Sequence, residues 1–382
     1  MSKLLSQGGF GCVYHPGIKC DGKKDKKKYV SKLQINDYTA FNEVEIGEII
    51  KTIPNYHLFF LPIIEYCKVN ATEMNPELIN KCNTLHDQTN LVLMKMNFMK
   101  NSSFFDYIIH SQTNDKIFSS LIDKYLFLLD SLELLNSKNI VHFDLKDENI
   151  LLNKTNNNPI IIDFGISLDM NEFKIDYIQD YFYVFAPEYY IWSFDIHLIC
   201  FLSRKVSDDN YKLEKKDIEN IAYDFVVSQK ILSLFSEQFN EDYKKQCIDF
   251  GSKFLKKTKI DILKQLVVKE NYETWDNFAL SCIVLKSIKY MFDKKIPNIE
   301  LFKNIIQLAF TNMHPDPSNR YTIKKTKEKL NKILENIEGS PEELFTFTNK
   351  IEINKNNIDI EINSDNKTIQ DIIKKSKTKT LV

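Results

Sequence analysis

Arginine is nearly missing from this 382-residue chain: Arg204 and Arg320 stand alone, and lysine supplies the rest of the 51 basic side chains. Against 52 acidic residues the net charge is -1, so no basic excess points to nucleic acid or to an anionic membrane surface. Nine glycines and ten prolines are too few for a collagen-like or linker-type chain. No apolar run is long enough for a membrane-spanning helix. The start, Met1 to Gly8, lacks the apolar stretch of a signal peptide. Seven cysteines (Cys12, Cys20, Cys67, Cys82, Cys200, Cys247, Cys282) form no C-x-x-C pair. Their odd number and scattered spacing read as reduced thiols in a cytoplasmic or nuclear setting and argue against a zinc site. What remains is ordinary globular composition, 43% hydrophobic and 27% charged, able to bury a sizeable core. Where arginine survives such a bias, its planar fork is needed, because lysine cannot replace bidentate pairing.

The pattern runs from strands to helices. Residues 1–35 read as strands around the turn Gln7-Gly8-Gly9-Phe10-Gly11, followed by a lysine-rich hairpin loop. Residues 38–52 have helical spacing, with Phe41, Val44, Ile46, Ile49 and Ile50 on or near one side, closed by Pro54. Stretches 60–70, 90–96, 140–143, 150–153 and 159–163 read as strands, and 117–137 as an amphipathic helix. Beyond residue 188 the periodicity is helical, over 212–235, 277–292, 299–312 and 322–337. From Gly339 the composition turns polar, so 339–382 reads as a mobile tail. The resulting expectation is an α+β, two-lobed chain, with a small β-rich N-lobe at about 1–95 and a mainly helical C-lobe at about 98–338.

Three phrases carry chemistry. Val141-His142-Phe143-Asp144-Leu145-Lys146-Asp147-Glu148-Asn149 spaces Asp, Lys and Asn at offsets 0, +2 and +5. Asp163-Phe164-Gly165 ends an apolar strand, and Ala186-Pro187-Glu188 follows. With the glycine turn and a strand lysine, this ordered set resembles the eukaryotic-type protein kinases of the Ser/Thr class over roughly residues 3–335. Ile53-Pro54-Asn55-Tyr56, Thr274-Trp275-Asp276-Asn277 and Asn312-Met313-His314-Pro315-Asp316-Pro317 further resemble the divergent kinases of large DNA viruses, which implies host cytoplasm or virion as the place of action.

The resemblance implies ATP and Mg²⁺ as cofactors and a protein Ser/Thr hydroxyl as acceptor, with no nucleic acid or membrane partner. The loop Ser6, Gln7, Gly8, Gly9, Phe10, Gly11 and Val13 would cover the phosphates, since glycine lets backbone N–H groups approach without clash. Lys32 would hold the α- and β-phosphates. Its helix partner is open among Glu43, Glu45 and Glu48; Glu45 is favoured, because Ile49 then packs one turn later. Asp163 and Asn149 would bind the metal, Asp144 would accept the hydroxyl proton, and Lys146 would neutralise the γ-phosphate. Leu93 to Asn97 resembles the hinge, with Met94 guarding the back pocket and Met96 meeting the adenine edge; Leu151 would also bind the nucleotide. His142 would pack on Phe164, and Arg320 would pair with Glu188, a buried pair whose breaking costs about 3–5 kcal/mol.

Departures from the pattern carry expectations of their own. Ser6 replaces the first glycine of the loop. Phe143 stands where the family has an arginine that reads an activation-segment phosphate, implying activity without that phosphate; Tyr177, Tyr181 and Tyr183 leave tyrosine modification open. For the aspartate that opens the central helix of the large lobe, Asp195 lies seven residues beyond Glu188 and Asp276 lies 88 beyond. The context of Asp276 fits better, which makes about 195–272 a helical insertion, either a partner dock or added scaffold. An active Ser/Thr kinase is the leading reading; a nucleotide-binding pseudokinase and a small-molecule kinase are the alternatives.

Overall fold

Apolar side chains on both faces build the first sheet, and Leu91-Val92-Leu93-Met94 is apolar without a break because both faces are covered there. A computed structural model describes residues 2–9, 11–85, 88–104, 107, 114–289 and 299–335. Phe10 of the glycine turn and the expected tail 339–382 lie outside the described residues. Strands β1 (Lys3–Gln7), β2 (Gly11–His15), β3 (Tyr29–Ile35), β4 (Glu65–Asn70) and β5 (Asn90–Asn97) pair antiparallel in the order β1-β2-β3-β5-β4. Because successive side chains point to opposite faces, Cys12, Tyr14, Leu33, Leu91 and Leu93 fill one face. Val30, Val92, Met94 and Met96 fill the other, against Ala40 and Val44 of helix α1 (Tyr38–Ile50). Asp37 caps α1 by accepting the Ala40 N–H.

The buried side of α1 differs from the one its apolar spacing suggests. Ala40, Asn42, Glu43, Val44, Ile46, Gly47 and Ile50 are buried, whereas Phe41 is 47% exposed and Ile49 half-buried. The helix is covered on one flank by the sheet and on another by polar groups of the second lobe, so Asn42 and Glu43 enter the interior with partners.

Residues 71–85, carrying the short helix α2 (Pro76–Asn80), form a strap across the first face of the sheet. Leu78 and Leu85 join that face, and Tyr14 Oη donates to Leu78 O at 2.6 Å. Two disulfides fasten this region, Cys12–Cys82 and Cys20–Cys67. This corrects the expectation of seven reduced thiols and removes the support that the thiols lent to a cytoplasmic setting. The partners are 70 and 47 residues apart, so only the folded sheet brings them together. Cys200, Cys247 and Cys282 are free and buried.

The second lobe starts from the long helix α3 (Asn114–Asn136) and short strands β6 (Asn101–Ser103), β7 (Ile140–Val141), β8 (Ile150–Asn153), β9 (Pro159–Ile161) and β10 (Leu168–Asp169), paired β6-β8-β9 and β7-β10. The single turn α4 (Ile178–Tyr181) follows. Then come α5 (Phe194–Lys205), α6 (Lys215–Ser228), α7 (Glu237–Ser252), α8 (Lys259–Leu266), α9 (Lys269–Tyr272), α10 (Trp275–Lys289), α11 (Ile299–Asn312) and α12 (Ile323–Glu335). The helix expected over 212–235 ends at Ser228, where the Gln229 amide turns to donate to Tyr190 O at 2.7 Å.

Helix α10 is buried all round, as a central helix must be. Polar donors on it find partners inside: Ser281 Oγ donates to Asn277 O, and Asn277 Nδ2 donates to Tyr321 O and Thr326 Oγ1. The α+β, two-lobed architecture expected from the sequence is the one observed. Among the described residues no helix is long and apolar enough to cross a membrane.

Candidate active site

The central strand β3 delivers Lys32 to the junction between the lobes. Its Nζ pairs with Glu43 Oε2 of α1 at 2.7 Å and with Asp163 Oδ1 at 2.8 Å. Glu43, not the favoured Glu45, is therefore the helix partner; Glu45 faces solvent. Burial works against the charge on Lys32, but the two carboxylates outweigh it and hold its pKa above the ordinary lysine value. Burial likewise pushes Asp163 up, and the Lys32 ammonium more than reverses this, leaving the carboxyl below its usual range.

The segment after β9 is fixed from several sides. His142 and Phe164 pack with ring centroids 5.0 Å apart, and Phe60 meets Phe164 edge-on. Burial drops His142 to about 4, so it is neutral at pH 7 and acts as a packing residue. Asn42 Nδ2 spans to the carbonyls of Gly165 (3.0 Å) and Ser167 (2.8 Å), tying α1 to this segment. No motif in the sequence points to Asn42, a lone polar residue whose burial depends on the second lobe.

Asp144 sits three residues beyond β7, with one oxygen facing Lys146 Nζ at 3.1 Å and Asn149 Nδ2 at 2.9 Å. Asn149 also donates to the Asp144 backbone carbonyl at 2.9 Å, which closes the loop on itself. The other oxygen, Oδ1, accepts a hydrogen bond from Tyr189 Oη, and Lys146 Nζ lies 3.4 Å from that hydroxyl. Burial pushes Asp144 up to about 6 against the pull of Lys146, a value suited to a base working near neutral pH. Tyr189 was not singled out in the sequence, because it lies just past Ala186-Pro187-Glu188 and outside every motif.

Above these groups lies the glycine turn. A Cβ on Gly11 would meet Leu33 O at 2.2 Å, so β2 can approach β3 only with glycine there. At Gly8 and Gly9 an added Cβ meets nothing within 4 Å, which leaves their backbone open to a ligand. Ser6 and Gln7 are exposed beside them, and Val13, Val30, Met94 and Met96 form an apolar bed beneath. Leu151 on β8 is half-buried. Phe98 N–H donates to Lys28 O at 2.7 Å, and the alternation of an antiparallel ladder then commits the Met96 backbone to Val30 as well. The expectation that Met96 offers its backbone to the adenine edge is thus corrected. Asn97, one residue on, faces away from β3 by the same alternation and lies beyond the last pairing with β4, at Lys95.

The sequence matches the family model "Protein kinase domain" over residues 1–331. This chain belongs to the protein kinase family. It is 32% identical over 142 residues to "Probable serine/threonine-protein kinase dyrk2" of Dictyostelium discoideum, covering 35% of this chain and 14% of that protein. It is 28% identical over 185 residues to "Probable inactive serine/threonine-protein kinase samkD" of the same organism, covering 41% and 32%. It is 27% identical over 178 residues to "Serine/threonine-protein kinase pim-2" of Danio rerio, covering 43% and 51%. The matched stretches span from 14% to 51% of these relatives' own lengths.

Two kinase positions are rebuilt in this chain. Phe143, in place of the family arginine, has φ +66°, a conformation an aromatic residue rarely adopts. Its N–H and that of His142 donate to Asp276 at 3.0 and 2.7 Å, and its carbonyl accepts from Trp192 Nε1 at 2.8 Å. Its ring packs against Trp192 and against Phe182 of the activation segment. Arg320 does not pair with Glu188, which is exposed. Its Nη2 bonds to Asp195 Oδ1 at 2.5 Å, and both side chains are fully buried. Asp195 also accepts from Trp275 Nε1 at 2.7 Å, and Arg320 spends its other donors on the carbonyls of His314 and Pro315 and on Thr274 Oγ1. The first turn of α5 carries Asp195 inward, where Glu188 cannot reach.

The residues present fit Mg·ATP. One carboxylate, Asp163, and one amide, Asn149, are the protein share that Mg²⁺ takes when phosphates and water complete its shell. Among the described residues no cluster of three or more His, Cys, Asp or Glu side chains would hold a metal by itself.

Proposed function

We propose that this chain is an active protein kinase that transfers the ATP γ-phosphoryl group to Ser/Thr hydroxyls of proteins. The observation that carries the reading is the closed Lys32–Glu43–Asp163 network standing together with Asp144, Lys146 and Asn149. Phosphoryl transfer asks the protein chiefly for position and charge neutralisation, and these groups supply both. Lys32, held by Glu43, would orient the α- and β-phosphates. Asp163 and Asn149 would hold Mg²⁺, which when bound neutralises charge between the phosphates. Asp144 would take the acceptor proton, and Lys146 would steady the transferring group. The Ser/Thr class rests on Lys146 and on the names of the relatives.

The same reading includes independence from activation-segment phosphorylation. Phe143 replaces a phosphate-reading arginine with an apolar clamp on Phe182, which is fully buried. Phosphatase-treated protein should keep its activity. A pseudokinase is the second reading, favoured by the Tyr189 hydroxyl on Asp144 and by the similarity to samkD.

Transfer of ³²P from Mg·ATP to generic protein substrates tests the proposal, with Asp144→Asn and Asp163→Asn alongside. Label on Ser/Thr that both variants lose supports it. Nucleotide binding without transfer would overturn it in favour of the pseudokinase.

A further inference from the structure

The Tyr189 hydroxyl lies where an acceptor hydroxyl must lie. It donates to Asp144 Oδ1, and Lys146 Nζ is 3.4 Å away. The second oxygen of Asp144 is already taken by Lys146 and Asn149. An external hydroxyl must therefore compete with Tyr189 for Oδ1, and gains it when the Tyr189 side chain turns away. The position is not accidental. Tyr189 N–H donates to Ala186 O, its ring meets Trp192 edge-on at 4.8 Å, and Trp192 is anchored in turn to Phe143 O. Its neighbour Tyr190 faces the other way, toward Asp147 at 3.4 Å. The ring is half-buried, so its tip reaches the catalytic groups from a rigid support.

We propose that Tyr189 is a self-phosphorylation site, modified in cis by the chain that carries it. This rests on the kinase reading above. Tyr189 Oη attacks the γ-phosphorus of ATP, an O–P bond forms at Oη, and the bond from the γ-phosphorus to the bridging oxygen breaks. ADP leaves, and the phenolic proton passes to Asp144 Oδ1. Tethering replaces recognition here: a hydroxyl already bonded to the base needs no docking, so a tyrosine can react in an enzyme whose external acceptors are Ser/Thr. The product would place a phosphate of charge about -2 beside Asp144 with Lys146 as its cation, and would block external hydroxyls. The modification therefore limits the enzyme's own activity.

The test is incubation of the full chain with Mg·ATP and a generic Ser/Thr substrate. Phosphopeptides are mapped by mass spectrometry over time. The expected result is phosphotyrosine at 189 at a rate independent of protein concentration, with substrate labelling that slows on the same time course. Tyr189→Phe should label substrate without that slowing. When Asp144→Asn is mixed with active protein, its own Tyr189 should stay unmodified. Substrate labelling with Tyr189 unmodified would overturn this inference and leave the kinase reading standing. Modification of the Asp144→Asn chain would overturn the cis route, and absence of all transfer would remove both readings.

Discussion

As the proposed base, Asp144 should set the pH behaviour of the site. Its carboxyl titrates at about 6, raised by burial and held down by Lys146. A base must be deprotonated to act, so kcat/KM should fall as pH drops below 6, by about tenfold per unit. Lys146→Ala removes the opposing charge, so the same acidic limb should move toward neutral pH, read from the profile of whatever activity survives. Lys32 gives a second residue-level outcome. Glu43→Gln should cut kcat/KM by about 10²-fold through a misplaced ammonium, whereas Glu45→Gln should leave it near wild type. A steady-state assay of both variants decides between the carboxylates. For Arg320, Asp195→Ala leaves a fully buried guanidinium without its anion and should cost about 3–5 kcal/mol by urea denaturation. Glu188→Ala, at an exposed position, should stay within about 0.5 kcal/mol.

The strap over residues 71–85 braces the glycine turn at the level of elements. Thr84 Oγ1 donates to Gly8 O at 2.9 Å, Asn83 N–H donates to Gln7 Oε1 at 3.1 Å, and Cys82 is bonded to Cys12 beside Gly11. The turn that would cover the nucleotide is thus held from outside. Closing a loop of 70 residues restrains the unfolded chain by about 4 kcal/mol in the entropy model. Cys12→Ser with Cys82→Ser should lower the urea midpoint. It should also raise KM for ATP severalfold while leaving kcat less affected, because the strap touches the turn and not Asp144. Equal KM values in the variant and the parent would show that the turn holds its shape unaided.

At the scale of the molecule, α5 to α9 are built into the helical lobe. Tyr243 Oη donates to Met313 O at 2.5 Å, Phe194 packs on Phe225 and Phe250, and Asp195 joins Arg320 to Trp275. Phe225→Ala should cost about 3–5 kcal/mol and reduce hydrogen-exchange protection in α10 as well as in α6 and α7. Loss confined to α6 and α7 would mark the segment as separable. The sequence by itself determined the two-lobed α+β plan, which local periodicity carries, and pointed to the proposed catalytic set, whose short fixed spacings carry the family resemblance. Asp144, Lys146 and Asn149 lie within six residues on one loop, so their meeting needs no distant partner. Tertiary structure alone decided Glu43 over Glu45, Asp195 over Glu188, the two disulfides and the place of Tyr189. Each of these depends on which side of an element the opposite lobe or a distant strand covers. Apolar periodicity records only the average burial of a face, and a buried charge takes the partner that geometry brings within reach.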